Sequence, residues 1–152
     1  MKLSIVIPVY NEEKTVGQIL EKVCALKLPW EKEIIVVNDG SKDKSEEKIT
    51  PFKNKIIYLK QDNKGKGSAV MAGIDHASGD YIVIQDADLE YDPTDFGRMI
   101  EAVSNNNVVY GSRLTKLPVL FGKNRTPLLL HFIGNKFLSL VVSILYGTWL
   151  TD

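Results

Sequence analysis

Cysteine is almost missing: the 152 residues contain one, Cys24, so no disulfide can form within the chain. Cys24 lies in a helical pattern and reads as a small buried core residue. Histidine occurs twice, as His76 and His131. Neither has a partner at metal-ligand spacing, so both read as structural. Net charge is absent too, with 19 Lys and Arg against 19 Asp and Glu, which removes the global case for a nucleic-acid partner. The longest uninterrupted apolar stretch, Phe137–Leu150, is 14 residues and falls short of the ~20 that a spanning helix needs. Met1-Lys2 followed by Leu3-Ser4-Ile5-Val6-Ile7-Pro8 is too short and too soon interrupted for a signal peptide, so the amino-terminal portion is expected to face the cytoplasm. Internal repeats and low-complexity linkers are lacking. No Gly-x-Gly-x-x-Gly follows the first apolar run, which counts against a nicotinamide-dependent Rossmann enzyme.

What is present is an alternation of strands and helices. Leu3–Val9 reads as a strand, after which Asn11 is expected to cap a helix with apolar positions Val16, Ile19, Leu20 and Val23. Pro29 ends that segment. Glu33–Asn38 is a continuous apolar run typical of a strand covered on both faces. A short polar helix over Lys44 to Ile49, a strand over Lys55–Gln61 and a small-residue helix from Gly67 to Ala77 follow. Tyr81–Gln85 reads as a buried strand. Asp92-Pro93 opens a helix whose core face is Phe96, Met99, Ile100 and Val103, and Val108–Gly111 reads as a fifth strand. The alternation predicts an α/β fold, a mostly parallel sheet with helices on both faces.

The chemistry concentrates after Tyr81–Gln85, in Asp86-Ala87-Asp88-Leu89-Glu90. Carboxylates at the carboxyl end of a strand sit where open α/β sheets bind ligands. Acids this close repel one another unless a cation lies among them, and an oxygen-rich set suits Mg²⁺ or Mn²⁺ bound together with a substrate phosphate. Asp39 precedes Gly40, whose missing side chain permits a tight turn and a close approach of a ligand to the backbone. An Asp39 carboxylate could accept from a ribose or a base, or cap the next helix. Lys66, between Gly65 and Gly67, could offer phosphate a cation and backbone N–H groups at a helix start. Charge shifts along the chain: Asn107 to Asp152 carries 5 basic and 1 acidic residues and is also the most apolar part. Residues 127–152 read as an amphipathic helix that either packs on domain 1–126 or lies in a membrane interface with Lys136 and Trp149 as anchors. Such an apolar tail could also bury itself in a second copy, as a homo-oligomer.

Five short motifs stand in order at these strand ends: Pro8-Val9-Tyr10-Asn11-Glu12, Asn38-Asp39-Gly40-Ser41, Asn63-Lys64-Gly65-Lys66-Gly67-Ser68-Ala69, Asp86-Ala87-Asp88 and Gly111-Ser112-Arg113. Together they resemble family 2 glycosyltransferases, in the dolichol-phosphate mannose or glucose synthase branch. The resemblance implies a GT-A nucleotide-sugar-binding fold. It also implies transfer of a hexose, with inversion, from UDP-glucose or GDP-mannose to a polyprenyl or dolichyl phosphate, on the cytoplasmic face of a membrane. By that resemblance Pro8, Tyr10 and Glu12 lie around the nucleoside, and Val37 and Asp39 hold base and ribose. Asp86 and Ala87 bind the donor, and Asp88 holds the metal, with Glu90 where mannose synthases usually carry Gln. Arg113 matches an arginine placed at the diphosphate or the acceptor phosphate, and Arg125 a second base on the acceptor-phosphate side. A polysaccharide-type enzyme with a hydroxyl acceptor would need a carboxylate base instead, for which Asp152 is the candidate. Thr151-Asp152 looks like the start of a motif that the family continues, so the resemblance also implies a truncated chain. A nucleotide-sugar-binding fragment without turnover is the remaining alternative.

Overall fold

Two β-branched runs build the centre of the sheet. β1 (Lys2–Val9) and β2 (Glu31–Asp39) pair in parallel from Lys2 opposite Glu31 to Val9 opposite Asn38. Alternate side chains leave a strand on opposite faces, and both faces of β1 are filled. Leu3, Ile5, Ile7 and Val9 join Ile34 and Val36 beneath α1 (Val16–Ala25), which contributes Val16, Ile19, Leu20 and Val23. Ile49 of α2 (Ser45–Ile49) and Phe96 and Ile100 of α4 (Phe96–Val103) close this layer. On the other face Val6, Ile35 and Val37 pack on Ala69 of α3 (Lys66–Asp75). Each fully buried Val, Leu or Ile contributes roughly 1.5–3 kcal/mol relative to exposure. The second layer is thin because α3 comes very close: a Cβ on Gly73 would stand 2.3 Å from Val6 Cγ1.

Among the described residues β3 (Ile57–Gln61) and β4 (Tyr81–Ile84) extend this to a four-stranded parallel sheet in the order β3-β2-β1-β4. The computed structural model describes residues 1–103, 109, 134, 137–142 and 144. The chain forms two compact units, Met1–Glu101 and Ala102–Asp152. Of the expected strand Val108–Gly111 only Val109 is among the described residues, and the expected boundary at 126/127 lies outside them. Residues 134, 137–142 and 144 are helical, and Phe137, Leu138, Leu140 and Ile144 are exposed there. No helix among the described residues is long and apolar enough to cross a membrane.

Three sequence expectations are corrected. β4 is not buried on both faces: among the described residues it is an edge strand, with Ile82 and Ile84 exposed and Tyr81 and Val83 partly covered. Asn11 does not cap α1. It takes φ +56°, in the left-handed region that Asn tolerates better than most residues, and α1 begins only at Val16, behind a turn closed on the Glu12 carbonyl. Cys24 is only partly buried, against the α1 layer. Burial pushes its thiol pKa up. The helix around it ends at Ala25, where the Lys32 ammonium donates to the carbonyls of Val23 (2.7 Å), Cys24 (3.0 Å) and Leu26. Asp92 and Pro93 open the turn before α4 as expected, with Asp92 Oδ1 accepting from the Thr94 N–H at 3.1 Å.

Candidate functional site

A parallel sheet delivers the ends of all its strands to one edge, and here that edge is a cleft of about 370 Å³. Pro8, Val9, Tyr10 and Glu12 come from the end of β1, and Asp39 from the end of β2. Asn63, Gly65, Lys66 and Ala69 come from the start of α3, and Asp86, Ala87 and Asp88 from the loop after β4. Val37 does not line it. Its position in β2 turns the side chain into the layer under α3, where it is fully buried against Val6 and Ala69, so a base-holding role for that side chain is not supported.

The loop that carries Tyr10 and Glu12 into the cleft is braced from outside by the loop after β2. The Asn11 side chain accepts from the Lys42 N–H at 2.8 Å, and the Asn11 N–H donates to Ser41 Oγ at 3.1 Å. The Glu12 N–H donates to Ser45 Oγ at 2.7 Å. Asp43 spans both loops: Oδ2 accepts from the Glu13 N–H at 3.0 Å while Oδ1 accepts from the Ser45 N–H at 2.9 Å, at the start of α2. Sequence reasoning missed Asp43, although Asp-x-Ser ahead of a helix is a capping pattern. The Glu12 carboxylate accepts from Thr15 Oγ1 at 2.7 Å, which fixes it at the rim of the cleft.

Asp39 is a buried carboxylate with three protein donors. Oδ1 accepts from Gln61 Nε2 at 2.7 Å and from the Lys64 N–H at 2.9 Å; Oδ2 accepts from the Gly65 N–H at 2.9 Å. Burial pushes its pKa up, but the N–H groups of Lys64 and Gly65 and the Gln61 amide outweigh that and hold it below the ordinary aspartate value. It therefore anchors the start of α3 rather than capping α2. The Gly65 N–H, expected to face phosphate, is already taken. At Gly40 (φ +69°) the close approach is internal as well, since a Cβ there would lie 2.7 Å from the Asn63 backbone nitrogen.

The loop after β4 is supported from beneath. Gln85, almost wholly buried, donates from Nε2 to the Asp86 carbonyl at 3.0 Å and to the Tyr91 carbonyl at 3.4 Å. Above it, Lys66 Nζ stands 2.5 Å from Asp86 Oδ1. The cation among the carboxylates is thus a lysine 20 positions upstream, a pairing with no local sequence signal. Asp88 Oδ1 accepts from the Glu90 N–H at 3.0 Å, so what Glu90 brings to Asp88 is its backbone rather than its carboxylate. Among the described residues no three His, Cys, Asp or Glu side chains converge as a metal cage. Mg²⁺-type sites are commonly built from one or two carboxylates plus substrate phosphates and water, so the donor set around Asp88 fits such an ion when a phosphate ligand shares it. Arg113, Arg125 and Asp152, expected on the acceptor side, lie outside the described residues, as does His131. His76 is exposed, with Nδ1 2.9 Å from the Ala72 carbonyl.

Comparison with known proteins bears on this edge. Residues 4–150 match the family described as Glycosyl transferase family 2. The chain is 40% identical over 131 residues to an undecaprenyl-phosphate 4-deoxy-4-formamido-L-arabinose transferase of Pectobacterium atrosepticum, covering 80% of this chain and 39% of that one. It is 35% identical over 120 residues to a dolichol-phosphate mannosyltransferase of Pyrococcus furiosus, covering 76% and 34%. The chain thus spans less than two fifths of the length of these curated relatives. Among solved structures, S. aureus TarS 1–349 is similar with a TM-score of 0.58 at 26% identity, over 67% of this chain and 32% of that chain. A mannosyltransferase of Pyrobaculum calidifontis, in complex with GDP-Man and Mn²⁺, also gives 0.58; at 20% identity, over 70% and 33%, it speaks for the fold alone.

Proposed function

The chain belongs to glycosyl transferase family 2, with a GT-A-type fold, and we propose that its carboxyl-edge cleft holds a nucleotide diphosphate sugar for transfer of the hexose to a polyprenyl phosphate. The observation that carries this reading is the convergence of Tyr10, Asp39, Lys66, Asp86 and Asp88 in one cleft at the ends of parallel strands. The two curated relatives, both named for transfer to a lipid phosphate, support the acceptor class.

In this reading the nucleoside lies along Pro8, Tyr10 and Asp39, whose carboxylate is kept ionised and immobile by its three donors. Lys66 faces the diphosphate. Asp88 would hold a Mg²⁺ or Mn²⁺ ion jointly with the diphosphate, and such an ion, when bound, neutralises charge on the departing nucleotide. Asp86, steadied by Gln85, orients the sugar. An acceptor phosphate is anionic at neutral pH and needs no strong base, so the protein's work is positioning and charge stabilisation. Arg113 and Arg125 are proposed to supply the acceptor-side charge. The exposed apolar residues Phe137, Leu138, Leu140 and Ile144 suit a greasy acceptor or a membrane interface.

Transfer of labelled sugar from UDP-glucose and from GDP-mannose to undecaprenyl phosphate tests the proposal. Asp88→Ala is expected to lose about 10²-fold or more in turnover with an unchanged melting curve. Equal turnover in the variant would remove Asp88 from the chemistry.

A further inference from the structure

Four carboxylates line the cleft, those of Glu12, Asp39, Asp86 and Asp88, and among the described residues that line it Lys66 is the one cationic side chain, with Lys64 acting by charge on Asp39 from outside the lining. The charge on Asp39 is met by three N–H donors, and Glu12 is bonded to Thr15. Asp86 is therefore the carboxylate that Lys66 pairs, with Asp88 two residues on held by the Glu90 N–H. We propose that Lys66 is an exchangeable counter-cation: it holds Asp86 until a nucleotide diphosphate arrives, then transfers its ammonium to the phosphates and releases Asp86. Resting on the donor-site reading above, this goes further in making Lys66 a competitor of a divalent ion bound alone and a partner of the nucleotide.

The geometry favours exchange by the side chain only. The Lys66 backbone is fixed, because it opens α3 directly after Gly65, whose N–H is held by Asp39, and α3 lies against β1 at Gly73. Beyond it the Lys66 side chain is 63% exposed, against 24% for Asp86. An ion pair so open to water is cheap to break and fast to re-form. An ammonium on a flexible stem is a point charge without a fixed bonding plane, so carboxylate and phosphate oxygens can replace each other around it. A divalent ion approaching Asp88 by itself meets the field of Lys66; one arriving with a diphosphate does not, because the diphosphate draws Lys66 away from Asp86.

The test follows free Mn²⁺ by electron paramagnetic resonance in titrations of the 152-residue chain as wild type, Lys66→Met and Lys66→Arg, followed by calorimetry of UDP and GDP in EDTA. Lys66→Met is expected to bind Mn²⁺ alone about tenfold more tightly, and to bind the preferred nucleotide without metal about tenfold more weakly. Lys66→Arg keeps the charge and is expected to stay near wild type for Mn²⁺. Should Lys66→Met be poorly folded by circular dichroism, Lys66→Gln takes its place with the same expectations. Wild type that binds nucleotide with Mn²⁺, alongside a charge-removing variant whose Mn²⁺ affinity is unchanged or weaker, overturns the Lys66 proposal and leaves the donor site standing. Failure of the wild type to bind either nucleotide with Mn²⁺ overturns both.

Discussion

The two ends of the sheet carry the same kind of residue finished in opposite ways. At the amino end, Glu33 accepts from Ser4 Oγ at 2.5 Å, from the Ser78 N–H at 2.6 Å and from Ser78 Oγ at 2.9 Å, and pairs with Lys2 at 2.6 Å. At the carboxyl end, among the described residues, Asp88 has one backbone donor and Asp86 one exposed lysine. The saturated carboxylate ties β1, β2 and the turn before β4 together and contributes to stability. The less saturated ones are expected to contribute less to stability, and lone pairs without a partner among the described residues are what the proposed ligand role requires. Asp39 stands between, saturated like Glu33 yet facing the cleft. Asp39 apart, the number of protein donors on a carboxylate distinguishes Glu33 from the pair Asp86 and Asp88 within one sheet.

The comparison breaks most visibly at Glu33. Glu33→Ala leaves Ser4 Oγ without its acceptor and Lys2 without its ion-pair partner, and is expected to cost about 3 kcal/mol in denaturant unfolding, with nucleotide affinity unchanged. Acid sharpens the same point. Burial pushes the Glu33 pKa up, but the bonds from Lys2, Ser4 and Ser78 overcome this and hold it at about 2, against an unfolded value near 4.5. A carboxyl depressed in the folded state stabilises above its unfolded pKa, and that contribution fades as pH falls from ~4.5 towards ~2. Glu33→Gln should flatten this part of the stability profile. Equal acid sensitivity in the variant would place the loss elsewhere. Asp39→Asn is expected to cost about 2 kcal/mol and also to weaken nucleotide binding, because one of its new N–H groups would face the N–H donors at the start of α3. An effect on stability alone would move Asp39 wholly to the scaffold side. The smallest effect is expected at Asn11→Ala, about 1 kcal/mol, from a left-handed backbone without Asn and a lost bond to Lys42.

Much of this was readable from residues in order, and the rest failed for identifiable reasons. The continuous runs Ile5–Val9 and Ile34–Val37 marked central strands, and the position of Asp86-Ala87-Asp88 directly after Ile84 marked the site edge. Tyr81–Ile84 misled because an apolar run does not say which of its side chains are covered, and here Ile82 and Ile84 are exposed. Asn11 misled because asparagine serves both helix caps and left-handed turns. Val37 was assigned a ligand by resemblance, while the alternation of β2 turns it into the core. The bond from Gly65 to Asp39 and the pairing of Lys66 with Asp86 join residues 26 and 20 positions apart, and only the parallel topology brings them together. Glu33 went unnoticed as a hub because its partners Lys2, Ser4 and Ser78 are spread across the chain.

Calorimetric titration of UDP and GDP, with Mn²⁺ and with EDTA, on wild type and Asp88→Asn tests the central claim most directly. The account predicts that one nucleotide binds, that Mn²⁺ tightens it by tenfold or more on the order expected for a shared phosphate ligand, and that Asp88→Asn removes the metal effect while the fold persists. Binding equally tight in EDTA, or a metal effect untouched in Asp88→Asn, would contradict it.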